Sequence, residues 1–126
     1  MTKLQALYTF FSSFSIPAYE ENSIYNTQVQ PEFPYITYSV STSSFQAGET
    51  TLSASLWYRS TSMKAVEEKA TEISQKLGYG GYMQQAEDGF IWLRRGSPFV
   101  QYMGDPSDDF IHRAYLNITA EFLTAV

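Results

Sequence analysis

The sequence predicts an α+β domain: two helices packed on one face of a mainly antiparallel sheet of four to five strands, in the order α-β-β-α-β-β-β. Three observations carry that expectation. Apolar residues recur at helical spacing in two segments, they alternate strictly with polar ones in three, and turn-forming residues leave short links between most strands. The 126 residues suffice for one domain, residues 1–126, that buries roughly two-thirds of its unfolded surface.

The first helix is expected from about Lys3 to Phe14, where Leu4, Leu7, Tyr8, Phe11 and Phe14 recur at helical spacing. Thr2 and Gln5 form a capping-box pair for its free amides, and Ile16-Pro17 ends it because proline disfavours a helical residue before it. A polar connector with Glu20, Glu21, Asn22 and Asn26 leads to Pro31 and Pro34. From Tyr35 to Thr42, Ile36, Tyr38 and Val40 alternate with Thr37, Ser39 and Ser41, which predicts a half-buried strand. Leu52, Ala54, Leu56 and Tyr58 repeat the pattern against Thr51, Ser53, Ser55 and Trp57, so the two segments should pair as a hairpin with a long loop over Ser43 to Glu49.

Ser60, Thr61 and Ser62 offer N-caps for a second helix over about Met63 to Leu77. Val66, Ala70, Ile73 and Leu77 form its apolar stripe, and Lys64, Glu67, Glu68, Lys69, Glu72 and Lys76 form a solvated face. After the Gly80-Gly81 turn, Gly89 to Arg95 and Pro98 to Met103 read as a hairpin joined by Gly96-Ser97. Asp105 to Asp109 is a turn, and Ala114, Leu116, Ile118, Ala120 and Phe122 alternate with polar residues in a long last strand. The expected core contains Leu7, Phe11, Ile36, Tyr38, Leu52, Leu56, Val66, Ile73, Ile118 and Phe122.

Composition narrows the function. Eight Lys and Arg against 13 Asp and Glu give a net charge of −5, the opposite of the basic footprint that sequence-specific nucleic-acid binding requires. The longest apolar run, Phe90 to Leu93, is far short of the roughly 20 residues of a membrane span. Zero Cys removes thiolate metal sites, disulfides and cysteine nucleophiles, and a reducing cytosol suits such a chain. The single His112, near Asp105, Asp108 and Asp109, could serve as a base in a small hydrolase or ligand-binding domain. No nucleophile elbow accompanies it, and the aspartates lack the terminal glutamate of a calcium loop, so no catalytic residue, cofactor or metal site is assigned. Gly78 to Tyr82 follows a helix rather than a strand and lacks a Lys-Ser/Thr pair, which makes it a helix cap instead of a phosphate loop.

The 21 aromatic residues are a heavy load for so short a chain, and some should meet a partner. Phe45 is a large ring in an otherwise small and polar loop, which marks that loop for intermolecular contact. The strand faces opposite the apolar ones read Thr37, Ser39, Ser41, then Thr51, Ser53, Ser55, then Asn117 and Thr119: small, polar and nearly uncharged. Such a face suits water, a neighbouring subunit or the wall of a channel.

Several segments together resemble the tail terminator (tail completion) proteins of tailed bacteriophages and prophages. They are Ile16-Pro17-Ala18-Tyr19, Pro34-Tyr35-Ile36-Thr37-Tyr38 and Leu56-Trp57-Tyr58-Arg59-Ser60. Lys69 to Ile73 leading into Gly80-Gly81, Gly89 to Leu93, Ser97-Pro98-Phe99-Val100-Gln101, and Leu116 to Phe122 continue the likeness over nearly the whole chain. The resemblance implies a catalysis-free virion protein, assembled in the host cytoplasm, that caps the tail tube as a homo-oligomeric ring, a hexamer. Its partners would be the tail tube protein and the head-tail connector. A head-tail connector or stopper protein is the alternative within the same class. The family carries no contact motif, so the candidate subunit or tube contacts rest on residue type: Phe45, Gln46, Glu49, Trp57, Tyr79, Tyr82, Phe99 and Tyr102. A channel that passes DNA should avoid clustered cations, which makes Glu20, Glu21, Asp105, Asp108 and Asp109 the candidate lumen residues.

Overall fold

The computed structural model describes residues 2–21, 31–41 and 49–124. Helix α1 (Lys3–Phe11) begins at the Thr2–Gln5 capping box and runs into a 3-10 turn, Ser12–Phe14, that ends on left-handed Ser15. Strand β1 (Ala18–Glu20) follows. Next come β2 (Tyr35–Ser41) and β3 (Glu49–Arg59), helix α2 (Lys64–Leu77), β4 (Tyr82–Ala86), β5 (Gly89–Asp105) and β6 (Asp108–Thr124). The strands form one sheet in the order β1-β2-β3-β6-β5-β4. Among the described strands only the β1–β2 pair is parallel; the four other pairs are antiparallel.

The expected four- to five-stranded antiparallel sheet is thus replaced by a curled, mixed sheet of six described strands, although the α+β character stands. Two strands were not expected. β1 lies within the stretch read as connector, where Ala18 to Glu20 pairs with Ile36 to Tyr38. β4 precedes a tight turn at Glu87-Asp88 and pairs with the first half of β5. The proposed hairpin at Gly96-Ser97 does not form. Gly89 to Asp105 is one strand against β6 with a register shift between Arg95 and Val100, so the Gly96-Ser97 punctuation marks a bulge and not a reversal. Gly96 occupies that bulge because a Cβ there would meet the Asn117 carbonyl oxygen at 2.8 Å.

Both helices pack on one sheet face. All ten expected core residues are buried, joined by Phe10, Phe14, Leu77, Ile91, Leu93 and Leu116 among others. The phase of α1 differs from expectation: Leu4 and Tyr8 are each 53% exposed, whereas Phe10 is fully buried, edge-on to Phe11 and Phe14 and 5.6 Å from the Tyr82 ring. The helix turns this stripe inward because α1 packs on β1 and β4. Helix α2 buries Val66, Ala70, Ile73 and Leu77, of which the Val, Ile and Leu side chains are each worth about 1.5–3 kcal/mol on full burial. Its N-terminus has no side-chain cap of its own; Ser62 Oγ accepts instead from the Lys64 amide at 3.3 Å.

The outer face of α2 is only partly the expected solvated charge run. Lys64–Glu68 and Lys69–Glu72 form ion pairs at 4.0 and 3.2 Å. Lys76 turns inward: its Nζ donates to Ser13 Oγ at 2.6 Å and lies 4.9–5.4 Å from the ring centroids of Phe10, Phe14 and Tyr82. An ammonium over aromatic faces retains part of the stabilisation that it loses in leaving water.

Candidate functional site

The register of the sheet assembles the face that the helices leave open, and it does so in rows. Because strand side chains alternate, Tyr35, Trp57 and Arg113 lie side by side on β2, β3 and β6; Thr37, Ser55 and Tyr115 form the next row, and Ser39, Ser53 and Asn117 the one after. Further along, Glu49, Glu121, Trp92 and Met83 form a row, and Leu123, Phe90 and Gln85 the next. The middle of this open face is small and polar, as the alternation predicts, with Ser39 Oγ and Ser53 Oγ 3.0 Å apart.

At one end the face is aromatic and cationic. Trp57 stacks on Tyr35 with ring centroids 6.2 Å apart, and its Nε1 donates to Thr37 Oγ1 at 2.9 Å. The Arg113 guanidinium sits 4.6 Å from the Trp57 ring and 5.4 Å from the Tyr115 ring, while its Nε donates to Ser55 Oγ at 3.0 Å. These contacts bury Thr37 and Ser55 on the open face rather than under the helices. Trp57, expected to be exposed or covered by a neighbour, is therefore half-covered within its own subunit.

At the other end Arg94 bridges two strands, donating to Glu49 at 2.7 Å and Glu121 at 3.4 Å while lying 4.1 Å over Trp92. Beyond it an apolar corner of Met83, Phe90 and Leu123, each 43–46% exposed, lies beside the β4 edge. Sequence reasoning missed this corner and the Arg113 site. The signal was present: Phe90 and Leu123 occupy the phase opposite Ile91 and Phe122.

The other candidate contacts scatter. Phe45 and Gln46 lie outside the described residues. Tyr79 is fully exposed just past α2 with the Arg95 guanidinium 5.3 Å from its ring. Tyr82 and Phe99 are partly buried and pack against the core, so neither is a free surface ring. Tyr102 is on the helix side, beside α2, where burial and the charge of Glu67 raise its phenol. The eight residues do not form one patch. Among the lumen candidates, Asp105, Asp108 and Asp109 share the β5–β6 tip, but Glu20 and Glu21 belong to the β1 edge, with β2 and β3 between them and β6.

The tip is ordered by its own carboxylates. Asp105 Oδ1 accepts from the Ser107 hydroxyl at 2.6 Å and the Ser107 amide at 2.7 Å, which lowers its pKa. Asp108 accepts from the Phe110 amide at 2.9 Å and from Arg59 Nε at 3.1 Å; the amide chiefly, and Arg59 with it, lower its pKa. His112 Nε2 lies 3.1 Å from the Ser60 carbonyl, an oxygen that only accepts, so Nε2 carries the proton. Among the described residues no three potential ligands gather as a metal site. No described helix is long and apolar enough to cross a membrane.

No family model matches the chain, and no curated protein does. A solved structure 11% identical to it superposes with a TM-score of 0.63, over 93% of this chain and 90% of that one. At that identity the likeness is one of fold.

Proposed function

We propose that this chain is a structural subunit that caps a phage-type tail tube as a ring, ends tube growth and forms the tail side of the head-tail junction. The observation that carries the reading is the open sheet face. A helix-free surface of Ser39, Ser53, Asn117 and their neighbours, bordered by fixed aromatic and arginine side chains, is suited to lie against flat protein surfaces without long charged side chains in the way. The order of segments that resembles tail terminators supports the same role. His112 spends its protonated nitrogen on a backbone carbonyl, and Asp105 and Asp108 spend their carboxylates on the tip, which weakens the hydrolase alternative.

A 14.3 kDa domain is too small to surround a DNA duplex roughly 20 Å across, so several copies must close head to tail. The test is deletion of the gene from the phage or prophage that carries it, followed by electron microscopy. Tubes of uncontrolled length, restored to uniform length by the supplied protein, are expected. Tails of normal length with unattached heads would assign the protein to the connector side, and normal particles would end the proposal.

A further inference from the structure

Arg113 and Arg95 are the two arginines with no ion pair to a described carboxylate; Arg95 is held at α2 by Ser74 and Tyr79, whereas Arg113 has its charge fixed but not neutralised on the open face. Arg59 and Arg94 hold Asp108, and Glu49 with Glu121, respectively. Arg113 is clamped by Trp57, Tyr115 and Ser55, and among the described residues no carboxylate lies within ion-pair distance of it. Its Nε is used, so the remaining donors of the guanidinium fork are available to a carboxylate arriving on the open face. Trp, Tyr and Arg held rigid before contact are the residue types that carry most interface energy, because little side-chain entropy remains to be lost.

The complementary group is on the same chain. Asp109 stands exposed at the β5–β6 tip, its carboxylate without a hydrogen bond or ion pair to a described residue, next to Phe110, which is 47% exposed beneath the Arg59 guanidinium. The tip is stiffened by the Asp105 and Asp108 hydrogen bonds. It cannot satisfy its own Arg113, since four residues of strand put the two Cα atoms on the order of 13 Å apart on one strand. A second copy meets no such constraint.

We infer that the β5–β6 tip of one copy seats on the Arg113 site of another, with the Asp109 carboxylate on the Arg113 fork. The contact deepens the ring reading by naming the two surfaces that join, and it joins different patches, so it propagates from copy to copy.

The test is sedimentation of the purified full chain and of Arg113→Glu, Asp109→Arg and the double variant, with circular dichroism as the folding control. Each single reversal should weaken self-association by about thirtyfold or more, and the double variant should regain it. Arg113→Lys, which keeps the charge and loses the fork, guards against a reversal that fails to fold and should also associate more weakly. A wild-type chain that stays monomeric overturns the contact, including one that binds through Arg113 only to a different carboxylate-bearing protein. Singles that associate normally, or a double variant that does not recover, overturn it equally. Wild-type assemblies larger than a dimer support both contact and ring. An assembly that stops at a dimer and obeys the charge swap supports the contact and counts against the ring, while capped tails in an Arg113→Glu phage keep the tail role without the contact.

Discussion

Lys69 Nζ donates to the backbone carbonyl of Phe14 at 2.7 Å, which ties the middle of α2 to the last residue of the turn that ends α1. That carbonyl lies beyond the last helical hydrogen bond and needs a partner from elsewhere. A charged donor answers it, and the Lys69 stem is largely covered, so the contact also fixes how the two helices meet.

Lys69→Met should therefore cost about 1.5–3 kcal/mol, the range for a hydrogen bond to a charged group. A urea titration would show it as a lower midpoint at unchanged slope. An unaltered midpoint would mean that Phe14 finds water as readily as Lys69.

Gly81 has φ +85°, and a Cβ there would collide with Trp92 Nε1 and approach the Leu93 carbonyl at 2.8 Å. The same indole nitrogen donates to the Gly80 carbonyl at 2.7 Å, so the loop and β5 are held tightly together. Gly81→Ala should cost more than the roughly 1–2 kcal/mol of the left-handed conformation alone. Gly80→Ala, with nothing within 4 Å, should be close to neutral, and thermal melts of the pair would separate the two.

Thr37→Val should leave the Trp57 indole without its buried acceptor at a cost of about 1–3 kcal/mol. Because Trp57 supports Arg113, the variant should also broaden or shift the indole N–H resonance of Trp57. A sharp, unmoved resonance would separate the hydrogen bond from the stack.

Tyr38 is buried against Phe11, ring centroids 4.5 Å apart, and burial first, then the charges of Glu20 and Tyr8, push its phenol up to about 12. Its ordinary value is 10.0, so the folded state favours the neutral phenol. The stabilisation is complete below pH 10 and is lost as pH rises through 12. Stability measured between these values should fall more steeply for the wild type than for Tyr38→Phe; equal slopes would place the alkaline sensitivity on Tyr35 or Tyr58, whose phenols burial also raises.

Sequence pattern alone determined the two helices, the capping box at Thr2 and Gln5, and the facing of the strands around Ile36, Leu56 and Ile118. In α2 and in these strands one periodicity runs long enough to specify a buried face; in α1 it specified the helix but not its phase, since Leu4 and Tyr8 are exposed and Phe10 is buried. It also disclosed the small polar face opposite. The tertiary structure alone decided the two outer strands. β1 is three residues long and pairs in parallel with β2, so its partner is set by long-range closure and not by local alternation. β4 places Gln84 on the buried phase, its Nε2 bonded to the Gln85 carbonyl at 3.3 Å, and that polar residue conceals the strand. Register decided the rest. Trp57, Arg113, Ser55 and Tyr115 are spread over two strands more than fifty residues apart, and only the β3–β6 pairing brings ring, cation and hydroxyl to one place with the Arg113 charge still unpaired among the described residues. A cation at the sequence level has no orientation; stacking and hydrogen bonding supply it, and both are properties of the folded sheet.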